Sequence, residues 1–166
     1  MRSAFEALCY AGAMQLRLIA VDKLRTPYVA DACAEFRKRL RPYVPYEEVE
    51  VRAAPGSNPG EAIRDETERI LKLVRPDETL WLLERTGTEL SSDALSRKID
   101  TLMHAGTSRL TFVVAGTYGA GDALMERADF TWSLSQLTFL HEWARMIVLE
   151  QLYRAAKIVR NEPYHH

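Results

Sequence analysis

The segment that most restricts the fold is residues 110–115, LTFVVA, a nearly continuous apolar run. A strand that faces water on one side alternates apolar and polar residues; a strand covered on both faces does not. The run therefore predicts a sheet with helices above and below it. The rest of the chain repeats that plan. Leu16, Leu18, Ile19 and Val21 read as a buried strand over 15–21. Thr26 and Pro27 then supply an N-cap and a first-turn proline. Val29, Ala32, Cys33, Phe36 and Leu40 follow at steps of three and four, one apolar helix face. Val49 and Val51 mark a second strand. Beyond the loop 54–60 (APGSNPG), Asn58, Pro59 and Glu61 read as cap, first turn and N3 acid of a helix. Its face is Ile63, Ile70, Leu71 and Val74. Residues 79–83 (TLWLL) form a third strand, and Ser91 or Ser92 caps a helix faced by Leu95, Ile99, Leu102 and Met103. After LTFVVA come a short helix, a short strand near Phe130–Leu134 and a long helix from about His141 to Arg160. Five β-α units predict an α/β domain with a mostly parallel sheet of five to six strands and helices on both faces.

The length, 166 residues, suits one domain, which we place at 14–166. Residues 1–13 fit poorly with it. Met14 is the functional start, or the first segment is a frayed tail, or that segment is a short helix packed on the domain. It lacks the basic start and long apolar centre of a secretory signal. No run approaches the roughly 20 apolar residues of a membrane span. The two cysteines, Cys9 and Cys33, make neither a disulfide framework nor a CxxC metal motif. They read as reduced thiols of a cytoplasmic protein, with no metal expected. The formal net charge of -1 gives no bulk support to a nucleic-acid partner, so any such footprint is local. The one dense basic cluster is Arg37, Lys38, Arg39 and Arg41.

Ligands of open α/β sheets sit off the carboxyl ends of the strands. Three ends stand out: Leu83-Glu84, Ala115-Gly116 and Leu134-Ser135. Gly116, Gly119 and Gly121 would let backbone approach a ligand closely, or simply make a turn. They belong to neither a P-loop nor a GxGxxG fingerprint. Residues 131–141 (TWSLSQLTFLH) mix hydroxyls with leucines just before a helix. Such a loop offers main-chain groups and an apolar wall, the mixture that adenine recognition needs. The plain alternative is a cap, with Thr138 starting the last helix. That helix carries a stripe of Met146, Leu149, Leu152, Tyr153, Ala156 and Val159, widened by Ile147, Val148, Ala155 and Ile158. A helix apolar almost all round is buried twice. This predicts packing on the sheet and against a partner subunit.

Together these segments resemble the ribosomal RNA large subunit methyltransferase H family of the SPOUT superfamily. The strongest matches are 131–139 (TWSLSQLTF), 149–160 (LEQLYRAAKIVR) and 161–165 (NEPYH); weaker ones are 16–21 (LRLIAV), 81–84 (WLLE) and 112–119 (FVVAGTYG). The resemblance implies a SPOUT-type knotted (trefoil) fold and a homodimer. It implies S-adenosylmethionine as methyl donor and N3 of a pseudouridine in large-subunit rRNA, free or in the assembled ribosome, as acceptor. It implies cofactor contacts at Leu83, Ala115, Gly116, Gly119, Leu134, Ser135, Gln136, Leu137, Thr138 and Phe139. The residues matching the substrate end are His141, Arg145, Arg154, Tyr164 and His165, with Arg154 and the tail supplied by the second subunit. In that scheme His165 or a water takes the N3 proton, Arg145 or Arg154 stabilises the base carbonyls, and Tyr164 stacks on the base. The chain departs from the family at Ala115, where a glycine is usual, at Leu140, where a proline is, and at His166, where a lysine or arginine often is. The alternative is a nucleotide-binding or ribosome-association protein of the same fold with weakened catalysis.

Overall fold

The computed structural model describes residues 14–56 and 58–164. The readings on residues 1–13, Cys9, His165 and His166 lie outside the described residues.

The elements follow in the order β1 (Gln15–Val21), α1 (Pro27–Leu40), β2 (Tyr46–Val51), α2 (Pro59–Leu71), β3 (Thr79–Glu89), α3 (Ser92–His104), β4 (Arg109–Val114), α4 (Asp122–Arg127), β5 (Phe130–Ser133) and α5 (His141–Val159). They build one five-stranded sheet of order β2-β1-β4-β3-β5, and every pair in it is parallel. The apolar run from Leu110 onward forms β4, at the centre. Leu110, Phe112 and Val113 are fully buried. Phe112 joins Leu16, Leu18 and Trp81 under α1, α3 and α5, while Val113 joins Ile19, Leu80 and Leu82 under α2 and α4. Each such side chain contributes about 1.5–3 kcal/mol by leaving water. On the α5 side Trp81 packs edge-on to Phe112 at 5.5 Å and to Trp132 at 6.2 Å between ring centroids.

Local chemistry sets the helix starts. The Asn58 side chain accepts from the N–H groups of Gly60 (3.0 Å) and Glu61 (3.3 Å), with Pro59 in the first turn. Ser91 Oγ accepts from Ala94 N–H at 3.1 Å. Thr26 behaves differently from the expectation, because its side chain makes no cap bond. The buried carboxylate of Glu142 instead accepts the Arg25 and Thr26 N–H groups at 2.9 and 3.1 Å, which ties the start of α1 to the start of α5.

Two further differences concern extent and facing. β3 continues six residues past Leu83, to Glu89, through an irregularity against β5 between Leu83 and Thr88. That extension pairs by backbone on an exposed edge, so no apolar pattern announces it. The buried residues of α5 are Glu142, Arg145, Val148, Leu149, Leu152 and Ala155, so Leu149 and Leu152 of the expected stripe are covered, as are Val148 and Ala155 beside it, while Met146, Tyr153, Ala156 and Val159 are only partly buried. α5 lies between α1 and α3, and two internally paired polar residues extend its covered face. Met146, Ile147, Ile158 and Val159 stay partly exposed.

Candidate active site

The carboxyl ends of β4 and β5, with the irregular middle of β3, open into one cavity of about 480 Å³, within the range of small-molecule sites. Three segments wall it. The first is Leu83, Glu84 and Arg85, where the pairing of β3 with β5 is irregular. The second is Ala115, Gly116, Thr117 and Gly119. The third runs from Leu134 to Leu140, and His141 and Ala144 close the space from the start of α5. Leu83, Val114, Trp132, Leu134 and Phe139 make an apolar wall, and Ser135, Thr117 and Thr138 add hydroxyls.

The loops are shaped by their own hydrogen bonds. Gly119 N–H donates to Gly116 O at 3.0 Å, and Gly119 holds φ at +89°, a conformation open to glycine. Gly116 serves close packing: a Cβ there would stand 2.3 Å from Glu66 Oε2. Gly121 is similar, because a Cβ there would stand 2.7 Å from Thr67 Oγ1. The close approach foreseen at these two glycines is thus made by neighbouring side chains of α2. In the third loop Ser135 Oγ accepts Leu137 N–H at 3.1 Å, and Ser133 Oγ lies 3.0 Å from the carbonyl oxygens of Arg85 and Ser135. The loop therefore curls beside β3 instead of capping α5. The N-cap position is Leu140, which makes no side-chain cap bond, so the capping role weighed for Thr138 is not realised.

The structure brings Leu83, Ala115, Gly116, Gly119, Leu134, Ser135, Leu137, Thr138, Phe139 and His141 together around the cavity. Gln136 shares the loop without lining it. Arg145 is 1% exposed and sits away from the cavity wall, donating to Asp22 O at 3.0 Å and to the carboxylates of Glu48 and Glu50. Burial opposes the charge of Glu48, but hydrogen bonds and charge from Arg145 and Arg37 outweigh it and hold that carboxyl below the usual carboxylate value. Arg154 and Tyr164 lie toward the other end of α5. Thirteen residues of helix separate Arg154 from His141, roughly 20 Å. The Arg154 guanidinium pairs with Glu150 and stands 3.5 Å from the Tyr164 ring centroid, and the Tyr164 hydroxyl donates to Glu150. Burial, then Glu150, pushes the Tyr164 hydroxyl up to about 12.

Sequence reasoning missed Thr117, Arg85 and Trp132 in the wall, and it missed Glu66 beneath Gly116. A signal for Glu66 exists: it falls three residues after Ile63 and four before Ile70, on the apolar face of its helix. Among the described residues no group of three or more His, Cys, Asp or Glu side chains is placed to hold a metal ion. No helix among them is long and apolar enough to cross a membrane.

Residues 14–165 match the family described as "Predicted SPOUT methyltransferase". Ribosomal RNA large subunit methyltransferase H of Pelobacter propionicus is 42% identical over 153 residues, covering 92% of this chain and 100% of that protein. The protein of the same name from Acetivibrio thermocellus is 38% identical over 158 residues, covering 92% of this chain and 99% of its own. Among solved structures, the SpoU methyltransferase AviRb from Streptomyces viridochromogenes in complex with AdoMet is 15% identical, with a TM-score of 0.43 over 88% of this chain and 58% of that one.

Proposed function

The chain belongs to the SPOUT methyltransferase family, and on that premise we propose that it transfers a methyl group from S-adenosylmethionine to large-subunit ribosomal RNA. The acceptor in this reading is N3 of a pseudouridine. The observation that carries it is the cavity of about 480 Å³ at the carboxyl ends of β4 and β5 and the irregular middle of β3, walled by the loop from Leu134 to Phe139. Its residues fit the donor: an apolar wall for an adenine ring, and hydroxyls and main-chain groups for its edge and ribose.

A sulfonium supplies an electrophilic methyl when bound, so the protein's task is alignment. Leu83, Leu134 and Phe139 would hold the nucleoside and exclude water. The main chain of Ala115 and Gly119 would run alongside it, and His141 borders the same space from the start of α5.

A homodimer completes this reading. Arg154 and Tyr164 do not line the cavity of their own chain, Leu137 and Leu140 line it while 70% exposed, and Trp143, two residues past His141, is 40% exposed. The last helix and tail of a second copy would cover these side chains and bring Arg154 and Tyr164 over the acceptor base. RNA contact at the basic cluster is reduced from four free cations, since Arg37 pairs with Glu48 and Arg39 with Glu35.

The test is methyl transfer in vitro. Free large-subunit rRNA, large subunits and assembled ribosomes from a strain lacking this modification are each incubated with the protein and labelled S-adenosylmethionine, and digested nucleosides are read by mass spectrometry. One 3-methylpseudouridine per subunit is the expected product. Label in another nucleoside, or none, refutes the assignment.

A further inference from the structure

A second cavity, of about 210 Å³, adjoins the first, and Gly116, Thr117 and His141 line both. Asp22, Glu66 and Tyr118 form the rest of its polar wall. Two buried atoms in that wall, Glu66 Oε2 and His141 Nε2, have no hydrogen-bond partner among the described residues. Glu66 is 6% exposed, and its other oxygen accepts Ala54 N–H at 2.9 Å. A buried carboxylate oxygen without a donor costs free energy, so its presence calls for a donor from outside the chain.

The walls select that donor. They hold two carboxylates and no lysine or arginine, which disfavours a phosphate. The space is smaller than the roughly 300 Å³ of ordinary ligand pockets, which suits a single ring. Tyr118, 45% exposed at its edge, offers a face on which an unpaired base can stack. An N–H flanked by carbonyls presents a donor to Glu66 and an acceptor to His141.

Resting on the functional reading above, we propose that this cavity receives the imide edge of the acceptor base and that Glu66 takes the proton from the ring nitrogen as it is methylated. The nitrogen forms its new bond to the methyl carbon while the C–S bond breaks, its electron pair staying on sulfur. The N–H bond breaks toward nitrogen, and the proton passes to Glu66 Oε2. Carboxylate, sulfonium and neutral base become carboxylic acid, thioether and neutral methylated base, so charge balances. His141 Nε2 donates to a neighbouring carbonyl. Asp22, at the end of β1, faces the same space, but its Oδ1 is engaged by Lys23 N–H at 2.9 Å and by Arg25 at 3.0 Å. Tyr118 and His141 are the other titratable groups there.

Glu66→Gln is the test, because its amide oxygen still accepts from Ala54. Single-turnover methyl transfer to large subunits is followed against pH, and affinity for S-adenosylhomocysteine is measured by calorimetry. The rate at neutral pH should fall by at least about 100-fold. The residual rate should then climb about tenfold per pH unit as the imide ionises unaided, with product affinity within about twofold of wild type. Glu66→Asp should give an intermediate rate and the wild-type profile. A Gln variant within about threefold of wild type, or a loss equal at every pH, overturns the proton role. A tenfold weaker product affinity would instead place the cofactor's ammonium group at Glu66 and also overturns it. A wild-type protein inactive on every ribosomal substrate removes the functional reading itself, whereas an active wild type with an unaltered variant removes only this inference.

Discussion

Replacing Arg145 with methionine separates two roles for a residue that the family resemblance placed at the substrate end. The side chain is 1% exposed and bonds Asp22 O, Glu48 and Glu50. Methionine keeps the apolar stem and leaves two carboxylates without their shared cation. Breaking a buried pair this way costs about 3–5 kcal/mol. Glu50 is 38% exposed and Glu48 retains Arg37, so the low end, about 3 kcal/mol, applies. For a chain of this length Tm should drop by about 10 °C. The loss has a pH signature. Glu48 titrates below its ordinary 4.5 in the folded protein, so its stabilisation is present above that value and disappears as pH falls through the folded pKa. The Tm gap between wild type and Arg145→Met should therefore narrow in acid. Differential scanning calorimetry from pH 7 to pH 3 measures it, and methyl transfer well below Tm should persist per folded molecule. An unchanged Tm with abolished transfer would refute the structural assignment and put Arg145 in contact with substrate.

Burial raises the Cys33 thiol to about 11, with Glu48 adding to the effect, so in a Cys9→Ser background a thiol reagent at pH 8 should label the native protein only as it unfolds; rapid native labelling contradicts the packing of α1 on α5. If the second copy completes the site, mixing inactive Ala115→Leu protomers with inactive Arg154→Ala protomers should restore methyl transfer, because one mixed interface holds an intact cavity and an intact Arg154; no recovery after demonstrated exchange rejects the shared site. Trp143→Glu should shift the protein toward monomer in light scattering with coupled chromatography, and an unaltered dimer would move the interface elsewhere.

Much of the architecture was legible because its signals are local. The apolar runs of β1 and β4, the Asn58-Pro59 start of α2 and the Ser91 cap need only neighbouring residues to act. The wall of the larger cavity was legible through family resemblance at 131–139 and 112–119, since curls of irregular backbone have no period to read. The remainder depends on partners distant in sequence. Glu142 reaches Thr26 across 116 residues and displaces a local cap, and Arg145 finds Glu48 across 97. The extension of β3 pairs by main chain alone. Glu66 sits on the apolar face of α2, but its partner surface, Gly116, lies 50 residues away in sequence.

The central claim is that the cavity bounded by Leu83, Ala115 and the loop from Leu134 to Phe139 is the donor site. Calorimetric titration with S-adenosylhomocysteine tests it directly, using wild type and an Ala115→Leu variant that adds bulk to the cavity wall. The account requires saturable binding at one site per protomer in the wild type and its loss in the variant. Absent binding in the wild type, or equal affinity in both proteins, would contradict it.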